Sequence, residues 1–235
     1  MGWIARTSSV TAVALVLATG VCGPAGAQGE TIYETQFLDP AEAASEWDFP
    51  SGATEVTEPG FTAALTPGSL ALTLDGAPNA WLSPDFGGAD IPPLPADQAI
   101  EARIASSTGD ESALFGVACR AAFGQQSVGY VFLVGADGYY TIGRYDGRGN
   151  AKAIVNAKGT KRTDAVDPLD FNIVRGECVG KKKVTLTLFV NGEEVASTVD
   201  KAPPKKLGAA AYVVTEVAKG KTTVTEYTGF AAHSL

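Results

Sequence analysis

Alternation of apolar and polar residues dominates the chain after about residue 30. The segment Lys183–Val199 contains two alternating runs joined by Asn191 and Gly192. A period of two predicts strands with one buried face. An Asn-Gly pair between two such runs favours a two-residue type I′ turn, because both residues readily adopt positive φ angles. The segment therefore predicts an antiparallel hairpin, and the chain as a whole predicts an all-β protein.

Thirteen segments show this pattern, with Gly, Pro, Asn and Asp turns between them. We predict strands at 31–37, 69–74, 79–83, 99–105, 112–120, 128–134, 138–145, 151–155, 170–176, 183–190, 193–199, 208–214 and 222–233. One helical turn is predicted at Pro40–Trp47, because proline is favoured at the first helical position. So many short strands must form two packed sheets to bury their apolar faces. The sequence predicts a two-sheet antiparallel β-sandwich, one domain over residues 28–235, with Trp47 and Trp81 in its core because tryptophan buries a large area.

The first residues have the pattern of a secretory signal peptide. An apolar run, Val10–Val21, follows Arg6, and small residues at Ala25 and Ala27 fit cleavage before Gln28. We predict a signal peptide over residues 1–27 and a secreted or extracytoplasmic product. Lipid attachment at Cys22 is the disfavoured alternative, because Val21 replaces the small residue expected before a lipidated cysteine. No later segment is long and apolar enough to predict a transmembrane helix.

Cleavage would leave two cysteines, Cys119 and Cys178. An even number of cysteines in an oxidising compartment predicts a disulfide between them. A catalytic thiol is a poor alternative because a nucleophilic cysteine needs a nearby base, and the only histidine is His233, third from the end.

Charge is distributed unevenly along a chain whose net charge is −8. Arg103 is the only basic residue between Gln28 and Ala118, and basic residues are in excess after Cys119. Attraction between the two halves and solubility account for this. The alternative is a basic patch for an acidic polymer, with Lys181–Lys183 as its best candidate, although lysines beside a strand also protect a sheet edge. We expect no nucleic-acid binding from an acidic chain without a recognised motif.

The order of short motifs along the chain resembles that of a known superfamily. Those motifs are Phe37 with Asp39 and Trp47, Gly68–Leu72, Trp81, Ala99–Ile104, Phe115–Arg120, Gly129–Val134, Asp137–Tyr140 and Asn172–Arg175. They resemble concanavalin A-like domains of the laminin-G-like and 3-keto-disaccharide-hydrolase-like groups. The resemblance implies a jelly-roll β-sandwich and, as partner, a glycan or an extracellular protein.

The same superfamily contains laminarinase-type glycoside hydrolases. A resemblance to these enzymes would imply a strand that carries the motif Glu-x-Asp-x-Glu. That spacing places three carboxylates on one strand face. The triplet is absent here, and the adjacent pairs Asp110–Glu111 and Glu193–Glu194 would point to opposite faces of a strand. We therefore favour a non-catalytic glycan-recognition or adhesion module. A glycoside-processing hydrolase and a structural envelope protein are the alternatives.

Four residues are the candidate ligand-binding set. If the alternation is in register, Arg120, Tyr130, Tyr140 and Arg144 lie together on an open sheet face. Aromatic rings can stack on the C–H surfaces of sugars, and guanidinium groups bind hydroxyls or carboxylates. This hypothesis requires the four side chains to be only partly buried. The alternative is that the tyrosines belong to the core of the sandwich.

Calcium is weakly indicated by Asp164, Asp167 and Asp170, because loop carboxylates at such a spacing can offer oxygen ligands. Asp167 precedes Pro168 and is typical of a turn, and Asp170 leads into a predicted strand. We assign no metal and no cofactor.

Overall fold

The computed structural model describes residues 29–47, 49–122, 127–147, 151–204 and 210–235, with only the backbone of Ser106 and Ala151. The predicted signal peptide, its cleavage site and Cys22 lie outside these residues. Among the described residues, no helix has the length and apolar character needed to cross a membrane.

Fifteen strands and one helix make up the described part of the chain. The strands are β1 Thr31–Thr35, β2 Glu55–Glu58, β3 Phe61–Thr66, β4 Ser69–Asp75, β5 Asn79–Leu82, β6 Gln98–Gly109, β7 Leu114–Ala122, β8 Val128–Gly135, β9 Tyr140–Asp146, β10 Ala151–Val155, β11 Asn172–Val179, β12 Val184–Val190, β13 Glu193–Asp200, β14 Ala211–Glu216 and β15 Thr222–Ser234. The helix, α1, spans Pro40–Glu46 and is capped by Asp39, whose carboxylate accepts from the backbone N–H groups of Ala41 and Glu42. All thirteen predicted strands and the helical turn are present.

The sequence analysis missed the hairpin of β2 and β3. Val56 is the only large apolar residue of β2, and β3 contributes the small Ala63 and Ala64 to its centre. Too little apolar contrast remains for a period of two to stand out, although Pro59 and Gly60 mark the turn.

The strands form two antiparallel sheets. One sheet has the order β13-β12-β11-β6-β15-β4-β3-β2, with β1 beside β15, and the other has the order β10-β9-β8-β7-β14-β5. Late strands lie between early ones: β15 pairs with β4 and β6, and β14 lies between β5 and β7. This interleaving is the jelly-roll arrangement, and the predicted two-sheet sandwich is confirmed.

The main core lies between the two sheets. Val117 and Phe132 of the six-stranded sheet pack there with Ile100 and Leu186 of the nine-stranded sheet. Trp47 is fully buried and contacts the rings of Phe37 and Phe230, as expected of a core residue.

A disulfide joins the sheets through this core. Cys119 on β7 is bonded to Cys178 on β11, with 6.4 Å between their Cα atoms, and both residues are fully buried. The predicted pairing is present. Closing a loop of 59 residues stabilises the fold by about 4 kcal/mol on the chain-entropy account.

The β12–β13 hairpin has the predicted turn. Asn191 and Gly192 have φ angles of 50° and 82°, and Val190 pairs with Glu193 across the turn. Both positive angles are those of a type I′ turn.

Candidate functional site

The two faces of the six-stranded sheet differ in what covers them. On β7, Val117 and Cys119 point into the main core, whereas Ala118 belongs to a separate apolar cluster built only from this sheet. On β8, Phe132 is in the core and Val131 is in the separate cluster. We call the side that carries the separate cluster the outer face. The predicted ligand-binding set can be placed by this division.

Tyr130 and Arg144 lie on the inner side. They pair across β8 and β9, and both reach Asp200 Oδ2 at 2.9 Å, the tyrosine through its hydroxyl and the arginine through Nη1. Tyr130 is 0% exposed, and the Arg144 side chain is 22% exposed. The expected partial exposure is wrong for Tyr130, because its face of β8 is the face that packs on the other sheet. Burial raises the pKa of the Tyr130 hydroxyl well above its usual range, and its bond to Asp200 adds to this.

Arg120 is also directed inward, against the prediction. The register of β7 and β8 shifts between Cys119 and Ala122, so that Arg120 and Ala121 together oppose Gly129. This β-bulge, with Arg120 at a φ of 49°, moves the arginine off the outer face and places Ala121 there. The guanidinium donates to Asp97 Oδ1 at 2.8 Å and to two backbone carbonyls, and the residue is only 3% exposed.

Tyr140 also lies inside the sandwich and not on an open face. It pairs with Val134 at the opposite end of β9 from Arg144, packs in the main core and is 8% exposed. The four candidate residues therefore form no outward-facing surface. Arg120 pairs with Asp97, Tyr130 and Arg144 share Asp200, and Tyr140 fills the core.

The outer face carries a different group of aromatic residues. A buried apolar floor is made of Ala118, Ala121, Val131, Leu133 and Val214. Trp81, Tyr145, Tyr212 and Leu114 pack on this floor and are only partly buried. We call Trp81, Tyr145 and Tyr212 the aromatic platform. Trp81 was expected in the core, and the structure places it on the outer face instead.

The positions of the platform follow from strand register. Trp81 pairs with Val214, Tyr212 pairs with Ala118, and Tyr145 pairs with Gly129. The platform thus extends from β5 to β9, four strand spacings or roughly 19 Å. Small residues let the rings lie low on the sheet. A side chain on Gly116 would meet the Phe132 carbonyl oxygen at 2.0 Å, so the floor cannot be raised there.

One carboxylate lies beside the platform. The Tyr145 hydroxyl donates to Glu216 Oε1 at 2.7 Å, and this bond passes above β7 and β8. Burial raises the pKa of Glu216 above its ordinary value of 4.5, an effect that the bond from Tyr145 partly offsets. Burial, with help from Glu216, also raises the pKa of Tyr145 above its usual range. Among the described strand positions of the outer face, Glu216 is the only ionisable carboxyl group.

Two of the three loop aspartates, Asp167 and Asp170, have turn contacts. Asp167 Oδ1 accepts from the Leu169 N–H, and Asp170 Oδ1 accepts from the Phe171 N–H. Both contacts are typical of turns. Within the described ranges, no three histidine, cysteine or acidic side chains are grouped as metal ligands.

A weak signal for the platform was present in the sequence. Trp81, Tyr145 and Tyr212 each alternate with core residues on their own strands. β14 is apolar at the centre of both faces and β9 has polar residues on both faces, however, so alternation on these strands could not show which face pointed outward.

Comparisons of the sequence with known proteins found no relative. No protein-family model matches the chain, and no curated protein sequence is significantly similar to it.

Solved structures share the fold. The carbohydrate-binding module CBM66 from Bacillus subtilis has a TM-score of 0.54 at 15% identity, covering 80% of this chain and 96% of that one. A Bacillus licheniformis β-glucanase has a TM-score of 0.54 at 10% identity, covering 88% and 99%. A non-specific endo-β-1,3(4)-glucanase of family GH16 has a TM-score of 0.56 at 11% identity, covering 89% and 92%. At such identities the likeness shows the fold alone, which is the concanavalin A-like jelly roll.

Proposed function

We propose that this protein is an exported, non-catalytic glycan-recognition module that binds sugar through the aromatic platform. The observation that carries the proposal is the row of three partly buried aromatic residues on the outer face of the six-stranded sheet. A ring that stacks on a sugar must be held firmly on one side and remain accessible on the other. Trp81, Tyr145 and Tyr212 combine packing on the floor with partial exposure.

The shape and charge of the platform favour a chain of neutral sugars. A span of roughly 19 Å is long enough for an oligosaccharide. Tryptophan and tyrosine bring apolar faces together with a polar N–H or O–H group, which suits the mixed surface of a sugar. Glu216 is the only acidic or basic side chain among the described outer-face strand positions, and in its ionised form it would repel an acidic glycan.

The structural neighbours support a carbohydrate ligand. One of them is named as a carbohydrate-binding module and two are named as glucanases. Oligosaccharides of mixed-linkage β-glucan are therefore the first ligands to test.

The carboxylates favour binding over hydrolysis. Most glycoside hydrolases place two carboxyl groups about 5 to 10 Å apart around the bond that is cleaved. Glu216 has no second carboxylate beside it among the described strand positions of the outer face. The hydrolase alternative requires such a partner.

Binding isotherms for a panel of neutral glycans, with and without calcium, test the proposal. W81A and Y212A should each weaken binding by about 1 to 2 kcal/mol, the scale of an aromatic contact and its buried area. F189A is the matched control, because Phe189 is a partly buried aromatic residue on the outer side of the other sheet. Equal losses in all three variants would contradict the platform.

Two further outcomes separate the alternatives. Release of reducing ends from a bound glucan would support the hydrolase. Failure of the folded protein to bind any glycan would favour the structural envelope protein.

Export is part of the same proposal. Ala25 and Ala27 after an apolar run should direct cleavage before Gln28. The intact mass of the released protein should equal that of residues 28–235, and a product that retains Cys22 with an acyl group would establish the lipoprotein instead.

A further inference from the structure

We propose a second binding surface, for an anionic polysaccharide, formed by Lys181, Lys182, Lys183 and Lys201. We call these four residues the lysine end. The lysine end differs from the aromatic platform in position and chemistry, so this inference does not depend on the function proposed above.

Two turns bring the four lysines together. The β11–β12 connection carries Lys181–Lys183, and Lys201 directly follows β13. Val184 of β12 pairs with Asp200 of β13, so Lys183 and Lys201 occupy neighbouring positions just beyond the last pair of these strands. Cα atoms at such positions are about 5 Å apart. All four lysines are exposed.

Carboxylates hold both turns in place. Asp97 Oδ1 accepts from the Gly180 N–H at 2.9 Å, immediately before the lysine triplet. Asp200 Oδ1 accepts from the Ala202 N–H at 2.9 Å, immediately after Lys201. Fixed backbone at both turns lowers the entropy lost when a ligand orders the lysine side chains.

The same carboxylates are already paired with arginines. Asp97 bonds Arg120 at 2.8 Å, and Asp200 bonds Arg144 at 2.9 Å as well as the Tyr130 hydroxyl. Their negative charge is thus balanced from inside the sandwich and does not neutralise the lysines outside it. Three of the four residues that the sequence suggested as ligand contacts, Arg120, Tyr130 and Arg144, thus act here as the support of a basic surface.

Closely spaced ammonium groups fit a polymer with regularly repeated anionic groups. The net charge of −8 opposes polyanion binding only weakly, because salt at physiological ionic strength screens carboxylates that lie more than about 8 Å from the lysines. The local excess of lysines then decides binding. A polysaccharide is favoured over nucleic acid because the residues of the two turns, 180–183 and 201–204, include no aromatic side chain on which a base could stack.

The test compares two quadruple variants of the protein with equal charge change. In the first, K181Q/K182Q/K183Q/K201Q removes the lysine end. In the control, K158Q/K161Q/K219Q/K221Q removes four exposed lysines elsewhere. Binding of polygalacturonate and of heparin is measured at low and high salt. The first polymer carries carboxylates and the second also carries sulfates, so the comparison shows which anionic group the lysines prefer. Single-stranded DNA is measured alongside.

We expect the first variant to lose about tenfold or more in affinity for one of the polysaccharides and the control to lose less than about twofold. Binding of the unmodified protein should weaken as salt rises. W81A should leave this binding unchanged, which separates the result from the platform. Three outcomes would overturn the inference: absence of polysaccharide binding, equal losses in both variants, or DNA binding as tight as the polysaccharide. Equal losses in both variants would mean that binding depends on the net charge of the protein and not on the position of the lysines.

Discussion

Glu216 lies beside the proposed ligand site, and its ionisation lowers the stability of the folded protein. Its carboxyl group lies partly buried beside the platform and accepts a hydrogen bond from the Tyr145 hydroxyl. Because burial disfavours the charged form, the folded protein holds the proton of Glu216 to a higher pH than the unfolded chain does. The residue therefore opposes folding once the pH is high enough to ionise it.

The pH dependence of stability tests this account. Below pH 4.5, Glu216 is protonated in both the folded and the unfolded protein and does not change the free energy of unfolding. As the pH rises from 4.5 to the pKa of Glu216 in the folded protein, the free energy of unfolding should fall. Each unit between the two pKa values corresponds to about 1.4 kcal/mol. Urea unfolding from pH 4 to 8 should show a smaller decline in E216Q, which retains an acceptor for Tyr145, than in the wild type; part of the decline remains because burial also raises the pKa of Glu101.

E226Q is the control for that experiment, because Glu226 is an exposed glutamate on β15. Its profile should follow the wild type. Parallel profiles for wild type and E216Q would show that Glu216 titrates normally in the folded protein.

At the scale of elements, one β-bulge decides where a charged residue lies. A regular β7 would place Arg120 on the same face as Ala118, as the sequence suggests. The bulge opposite Gly129 turns it toward Asp97 and Cys178. Alternation along a strand predicts faces only while the register is regular, and a shift of one residue reverses every later assignment.

Removing this side chain should therefore affect stability rather than sugar binding. R120A removes the ion pair with the partly exposed Asp97 and should lower the free energy of unfolding by about 2 kcal/mol, the scale of a hydrogen bond to a charged group. R120K should restore only part of this, because lysine lacks the planar fork that also reaches the carbonyl groups. Urea unfolding measures all three proteins.

R162A supplies the comparison for an exposed pair, since the Arg162 and Asp137 side chains are both nearly half exposed. It should cost less than about 1 kcal/mol. The structural role of Arg120 would be contradicted if R120A left the free energy of unfolding unchanged. It would also be contradicted if R120A folded normally but no longer bound glycan.

The strands were far easier to predict than the site. Thirteen strands and the type I′ turn at Asn191 follow from local signals and the disulfide from the count of cysteines, and the structure contains all of them. Which face of a strand is inside is not local information. On β8, Tyr130 and Phe132 alternate with Val131 and Leu133, so both faces are apolar. Only pairing across the whole sheet assigns the tyrosine to the core.

At the scale of the whole molecule, the sandwich separates two chemistries. Apolar aromatic rings lie on the outer face of the six-stranded sheet, and lysines lie in the turns before β12 and after β13. The Cys119–Cys178 disulfide and the pairs of Arg120 and Arg144 cross-link the interior between them. These cross-links hold together the strands that carry the aromatic platform and the turns that carry the lysine end.

The two tryptophans of residues 28–235 provide the most direct test of the account. Trp47 is fully buried in the core and Trp81 lies on the platform, so their indole N–H signals report on the two places separately. In a ¹⁵N-labelled protein titrated with β-glucan oligosaccharides, or with whichever glycan the panel identifies, the Trp81 signal should shift with concentration while the Trp47 signal stays in place. A saturable interaction that leaves the Trp81 signal unmoved would contradict recognition at the platform.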